Sequence, residues 1–209
     1  MMKPGAHELR SRAAQAVTVQ ESYFFRDKVP SQYFIGTMLP ELMAKREESR
    51  RIRVWCAAAA MGQEPYSLAM ELAERNGRLA GLTVDIVATD FAEDALNRAR
   101  KGQYSQFEVQ RGLPVSLLVK YFNKAGSAWE IRPEIRRKVE FRAHNLLGDS
   151  QALGIFDVIF CRNVLIYFDD ATKRAVLASL ASRLAPDGSI SCSARPRRPR
   201  VRATRSGRC

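Results

Sequence analysis

Short apolar runs alternate with amphipathic stretches through the middle of this chain. The run IRVWCA (52–57) is continuously apolar and ends in small residues, the pattern of a strand buried on both faces. EPYSLAMELAERNG (64–77) follows, with Leu68, Ala69, Leu72 and Ala73 on one helical face and Gly77 as a stop, which predicts a helix. TVDIVATDF (83–91) predicts a second strand, and AEDALNRARKG (92–102) a second helix closed by Gly102. A third strand is expected over 139–147 and a fourth over FDVIFCRNVLIYF (156–168), again apolar on both faces. ATKRAVLASLASRLAPDG (171–188) reads as a long helix ended by Pro-Asp-Gly, and SISCSA (189–194) as the start of a fifth strand.

This alternation predicts the α/β class: a Rossmann-like parallel sheet with helices on both faces. Such sheets bind ligands at the carboxyl ends of their strands, near the switch in strand order. The polar residues at those ends are Gly62 and Glu64 after the first strand, Asp90 after the second, Asn145 after the third, and Arg162 and Asn163 after the fourth. Residues 103–138 break the rhythm with GLP (112–114), a helical LLVKYF (117–122) and AWEI (128–131), a hairpin-strand candidate. An insert of this length exceeds what a crossover needs; it either contacts the substrate or caps the sheet edge.

At 209 residues, with 46% hydrophobic and 27% charged positions, the chain has the size and composition of one globular domain. It holds no apolar run of membrane-spanning length, and MMKPGAHELRSRAAQ lacks the apolar centre of a signal peptide, so a cytoplasmic protein without membrane insertion is expected. The net charge of +12 is uneven: seven Arg and no acid lie in RPRRPRVRATRSGRC (195–209), which leaves +5 for residues 1–194. Arg-Pro steps and few apolar residues mark that tail as disordered before they mark it as a nucleic-acid binder. Cys56, Cys161, Cys192 and Cys209 form no CxxC pair, and His7 and His144 stand far apart, so neither a metal site nor a disulfide framework is expected. Cys56 and Cys161, inside apolar runs, read as buried thiols.

The loop AAAAMGQEP (57–65) has one glycine where a dinucleotide fingerprint has three, and Glu64 at the helix start would repel a phosphate. Small loop residues with acidic neighbours suit a nucleoside that carries a positive centre and no phosphate, a description that S-adenosylmethionine meets. On the residues alone, Asp90 is open between binding ribose hydroxyls and capping the helix that starts near Ala92, and Glu64 between a ligand contact and a first-turn acid.

TVQESYFFRD (18–27), QEPYSLAMELAE (63–74), VATDFAEDALNRARKGQYS (87–105), VQRGLP (109–114), KYF (120–122), VEFRAHNLL (139–147) and FDVIFCRNVLIYFD (156–169) together resemble the bacterial chemotaxis receptor methyltransferase family. The resemblance runs in order from about residue 17 to residue 192. It implies S-adenosylmethionine-dependent methyl esterification of glutamate side chains on the cytoplasmic helices of methyl-accepting chemotaxis receptors, with S-adenosylhomocysteine as product. By the same resemblance the cofactor contacts fall on Gln20, Ser22, Arg26, Glu64, Asp90, Asn145, Leu146, Asn163 and Val164. Asp90 would hold the ribose, Asn145 and Leu146 would border the adenine, and Glu64 would face the methionine ammonium. Arg26 and Tyr167 would lie beside the transferred methyl as the catalytic pair; without the surrounding blocks, Arg26 reads as a surface ion pair and Tyr167 and Phe168 as core.

The sequence departs from the family at Gln20, usually Asn, at Met61, usually Thr, and at Gln63, usually Glu. Residues 1–17 correspond to a remnant of the family's N-terminal helical region, 18–194 to the catalytic domain with its insert, and 195–209 to a basic tail. The abrupt turn from SISCSA to Arg, Pro and Ser reads as a truncated or frameshifted end, with the family's last sheet strands expected to be missing. The short insert leaves little room for a longer glycine-containing hairpin, so recognition independent of a receptor tether is expected. Two other readings remain open: methyl transfer to a different acceptor, and an inactive ligand-binding domain.

Overall fold

The computed structural model describes residues 22–79 and 81–192. Gln20, the N-terminal remnant and the tail lie outside those residues, as do the last two positions of the expected fifth strand.

The described chain opens with α1 (Lys28–Tyr33), which passes through one π-helical stretch (Phe34–Met38) into α2 (Leu39–Lys45). Then follow β1 (Arg51–Ala57), α3 (Gln63–Ala73), β2 (Thr83–Asp90) and α4 (Glu93–Lys101). The insert supplies β3 (Gln103–Ser105), α5 (Gln106–Gln110), α6 (Val115–Tyr121), β4 (Phe122–Ala125), β5 (Ala128–Ile131) and the single turn α7 (Pro133–Arg136). The main sheet resumes with β6 (Val139–Ala143), β7 (Phe156–Cys161), α8 (Asp170–Ser182) and β8 (Leu184–Cys192).

Five strands pair in parallel in the order β6-β2-β1-β7-β8. From β1 the chain builds outward through β2 to β6, then returns to the other side of β1 for β7. The strand order therefore switches between β1 and β7, where an α/β sheet opens a crevice at its carboxyl edge. Alternating side chains divide the core. Ile52, Val54 and Cys56 of β1 pack with Ile86, Val158 and Phe160 on the face covered by α2 and α3. Trp55 and Ala57 pack with Val87, Ile159 and Cys161 on the face covered by Val176 and Leu180 of α8. Cys56 and Cys161 are buried, as their apolar surroundings predict.

Four element boundaries differ from the sequence expectation, the first being the end of α3 at Ala73, with Gly77 inside a 3-10 turn over Asn76–Leu79 and not the helix stop. The third strand ends at Ala143 rather than 147, because Asn145 accepts the Leu147 N–H at 3.0 Å and turns the chain. The fourth strand ends at Cys161 rather than 168: Asn163 takes φ 58°, and Leu165–Tyr167 form a 3-10 turn. The long helix ends at Ser182, and Pro186-Asp187-Gly188 lies inside β8 as an irregularity, not as a helix stop. Phe156 pairs with Leu184 but Val158 pairs with Ser189, so β8 bulges there.

At the amino edge of the sheet, Asp157 at the start of β7 accepts Arg46 Nη2 at 2.7 Å and Arg46 Nε at 3.0 Å, and its other oxygen accepts the Arg53 backbone N–H at 2.8 Å. Arg46 also reaches Asp187 in the bulge at 2.7 Å. One guanidinium thus joins the end of α2 to β7 and β8.

The insert forms a small antiparallel sheet in the order β3-β5-β4. It braces the start of the chain: Phe24 is fully buried, with its ring 4.9 Å from that of Tyr104 and 5.7 Å from that of Phe122. Gly112, at φ 87°, lies so close that a Cβ there would sit 2.1 Å from the Phe24 carbonyl oxygen. Only glycine fits.

Candidate active site

The loop after β1 must turn sharply to enter α3, and Ala58, Ala60 and Gly62 all adopt positive φ (62°, 48° and 88°) to do so. For alanine that backbone carries strain of about 1–2 kcal/mol per residue, so other groups must hold it. The Ala59 N–H donates to the Thr89 carbonyl at 2.8 Å, and the Ala60 N–H to Asp90 Oδ2 at 2.8 Å. Asp90 Oδ1 accepts the Ala92 N–H at 2.9 Å. The carboxylate therefore caps the turn into α4 and also fixes the loop across the crevice. Asp90 is 5% exposed; burial raises its carboxyl above the ordinary value, and the three backbone N–H bonds it accepts, from Ala92, Ala60 and Phe91, pull it back down. Of the four acceptor sites on its two oxygens, three take these bonds and one remains to accept a hydroxyl.

Glu64 stands in the first turn of α3 and ion-pairs with Nη1 of Arg162, just past the end of β7. Its side chain is 20% exposed. Burial raises its carboxyl above the ordinary value, opposed first by Arg162 and then by Arg26. Arg162 is itself buried, and its Nη2 donates to the Arg26 carbonyl at 3.0 Å and to Asp27 Oδ2 at 3.1 Å. The segment Phe25–Asp27 is thereby drawn over the crevice, with the Phe25 N–H donating to Ser67 Oγ at 2.9 Å. The Arg26 guanidinium lies 5.3 Å from the Tyr23 ring centroid, and Arg111 of the insert lies 4.5 Å from the same ring.

The remaining expected positions surround this centre. The His144 N–H donates to the Asp90 carbonyl at 2.9 Å, which sets exposed Asn145 beside the end of β2. Leu146 is buried in the core cluster of Trp55 and Leu165, against which Val164 packs. Asn163 is half-buried and left-handed, a conformation that Asn tolerates well. Ser22 is half-buried at the start of the described segment. Tyr167 is 58% exposed, which excludes the core reading for it, whereas Phe168 packs against the second core cluster.

Arg162 is the main element that residue patterns undervalued: it stood only among the polar residues at the strand ends. Its signal was a charge interrupting the apolar run FDVIFCRNVLIYF, since a guanidinium is buried only when paired. Ser67 and Asp27 gave no comparable signal. Gln63, the first residue of α3, is fully buried, and neither of its amide atoms has a partner among the described residues.

The donor set fits S-adenosylmethionine. Two desolvated carboxylates at the mouth of the crevice match a ligand that brings hydroxyls and positive charge, and the small side chains of 57–60 leave room against the loop backbone.

Comparison with known proteins agrees with this chemistry. The family described as CheR methyltransferase, SAM binding domain, matches residues 20–192. Chemotaxis protein methyltransferase 1 of Pseudomonas aeruginosa is 42% identical over 184 residues, which cover 86% of this chain and 67% of that one. A chemotaxis protein methyltransferase of Vibrio parahaemolyticus is 40% identical over 184 residues, covering 87% and 66%. The chain thus spans about two thirds of the length of these relatives. It belongs to the CheR methyltransferase family, whose S-adenosylmethionine-binding domain it carries in residues 20–192.

Proposed function

We propose that the chain esterifies glutamate side chains on the cytoplasmic helices of chemotaxis receptors, with S-adenosylmethionine as methyl donor, in the cytoplasm. The observation that carries this reading is the pairing of a buried carboxylate, Asp90, and a half-buried one, Glu64, with a cation-bearing segment, Arg26, held beside them by Arg162. The names of the relatives support the chemotaxis assignment. Among the described residues no helix is long and apolar enough to cross a membrane.

S-adenosylmethionine, when bound, supplies the methyl group on a sulfonium and leaves as a neutral thioether. Asp90 would accept a ribose hydroxyl on its remaining lone pair. Asn145 and Leu146 border the adenine, Glu64 takes the ammonium, and Gln20, Ser22, Asn163 and Val164 complete the contacts. Arg26 orients the incoming acceptor carboxylate by charge-assisted hydrogen bonds, beside exposed Tyr167. The acceptor is already ionised at neutral pH, so no general base is needed and orientation is the main contribution. Residues 18–194 are the catalytic unit in this proposal, with the N-terminal remnant and the tail outside it.

The full chain should transfer methyl-labelled S-adenosylmethionine to a receptor cytoplasmic fragment as a base-labile ester. Asp90→Ala should abolish both the transfer and S-adenosylhomocysteine binding. Label appearing on another acceptor, or saturable binding without any transfer, would overturn the assignment.

A further inference from the structure

We infer that Arg162 is a positioning residue that holds the methyl-side segment Phe25–Asp27 in place and couples it to the cofactor carboxylate Glu64. The inference rests on the function proposed above for Glu64 and Arg26, and deepens it.

The segment cannot hold its shape unaided. Phe25 and Asp27 both adopt positive φ (54° and 47°), a region that disfavours a bulky side chain such as phenylalanine. Asp27 opens α1 without a side-chain cap, so the helix does not fix it either. Two tethers do. One is the Phe25 N–H to Ser67 Oγ, with Ser67 in turn donating to the Gln63 carbonyl at 2.6 Å. The other is the Arg162 fork, whose Nη2 reaches the Arg26 carbonyl at 3.0 Å, the Asp27 carbonyl at 3.4 Å and Asp27 Oδ2 at 3.1 Å.

The same guanidinium neutralises Glu64 through Nη1. Its side chain is 5% exposed, against 20% for Glu64 and 55% for Asp27, so it is the buried hub of the three. Planar geometry matters here: two nitrogens of one rigid fork face two different parts of the site, which a lysine ammonium cannot reproduce. The side chain of Arg26 is not gripped by Arg162. Its backbone is, so Arg162 sets where that side chain starts rather than where it ends.

Two readouts follow, one of which does not depend on the cofactor. Hydrogen exchange on the ligand-free chain should show the 22–29 peptide exchanging at least tenfold faster in Arg162→Lys than in the parent, with the core strands β1 and β2 unchanged. Asp27→Ala, which removes only the exposed partner, should speed the same peptide by a smaller factor. In methyl transfer, Arg162→Lys should lower kcat more than tenfold with a smaller change in KM for the acceptor. Arg162→Gln should move the acid limb of S-adenosylhomocysteine binding to higher pH, because Glu64 loses its counter-charge. In Arg162→Gln/Glu64→Gln that shift should vanish, leaving the acid dependence that Asp90 contributes.

Unchanged exchange of 22–29 in both Arg162→Lys and Asp27→Ala overturns the inference, even if the chain is an active methyltransferase. Faster exchange in a chain that never binds S-adenosylhomocysteine preserves the tether and refutes the proposed function instead. If Arg162→Gln does not fold, Asp27→Ala and Arg162→Lys alone decide, since each keeps a cation beside Glu64.

Discussion

Replacing Gln63 by methionine removes a buried amide and keeps the length of the side chain. Gln63 is 0% exposed, and neither its Nε2 nor its Oε1 has a partner among the described residues. Burying an amide without compensation costs about 1–3 kcal/mol by mutational measures. A volume-conserving swap to a flexible apolar chain costs less than about 1.5 kcal/mol, and methionine adapts well to an irregular pocket. The net expectation is a gain of about 1–2 kcal/mol. For a chain of this size each kcal/mol moves Tm by about 2–4 °C, so the melt should rise by roughly 2–8 °C. Urea titration followed by far-UV circular dichroism gives the free energy, with an unchanged slope showing that the denatured state is not altered. A lower midpoint in Gln63→Met would refute the reasoning, because it would mean that the amide does satisfy its hydrogen bonds in the folded chain.

Asp157→Ala should destabilise the fold by about 1–3 kcal/mol in the same titration, since it removes the acceptor of the Arg53 N–H and leaves Arg46 with Asp187 alone. Gly112→Ala should abolish S-adenosylhomocysteine binding in calorimetry while the sheet still folds, because the new Cβ must displace the Phe24 carbonyl and the segment that follows it. Arg46 holds the Asp187 carboxyl below its ordinary value, so that group adds stability above its unfolded pKa near 3.9 and loses it as pH falls further. Asp187→Asn should flatten the acid limb of the stability curve below about pH 4. Glu64 has the opposite sign: its raised carboxyl makes cofactor affinity fall, on acidification, at a pH above the ordinary glutamate value of about 4.3, and Glu64→Gln should remove that part of the dependence while the part due to Asp90 stays.

Periodicity was a good guide to some element ends, though Gly77, read as a helix stop, lies in a 3-10 turn past the end of α3. Gly102 closes α4 at φ 65°, where the sequence put the stop, and AWEI is the middle strand of the hairpin sheet. It was a poor guide where tertiary contacts ended the element. Apart from Asp157, Arg162 and Asn163 the run 156–168 is apolar, and nothing in its hydrophobicity marks Cys161 as the last strand residue. Pro186-Asp187-Gly188 carries helix-stop residues, yet Arg46, 141 positions away from Asp187, sets its role by binding the bulge. In the site, Asp90 and Glu64 were legible as strand-end acids. The double duty of Asp90 was not, because its second partner is a backbone N–H of a loop 30 residues earlier. The insert was left between a substrate contact and an edge cap. Its packing on Phe24 shows a brace, which depends on a carbonyl position that no side-chain pattern records.

The two ends of the sheet are built on opposite economies of order. Of the six non-glycine residues at positive φ among the described residues, Phe25, Asp27, Ala58, Ala60 and Asn163 all lie at the carboxyl end, while Arg46 stitches three elements together at the amino end. Heat or denaturant should therefore not melt this chain evenly. The catalytic rim opens first, as a local excursion that leaves the strands paired, and each such opening releases the backbone strain held there. A ligand that bridges the rim raises the free energy of that opening far more than that of global unfolding, so its presence is felt first as slower breathing of one edge.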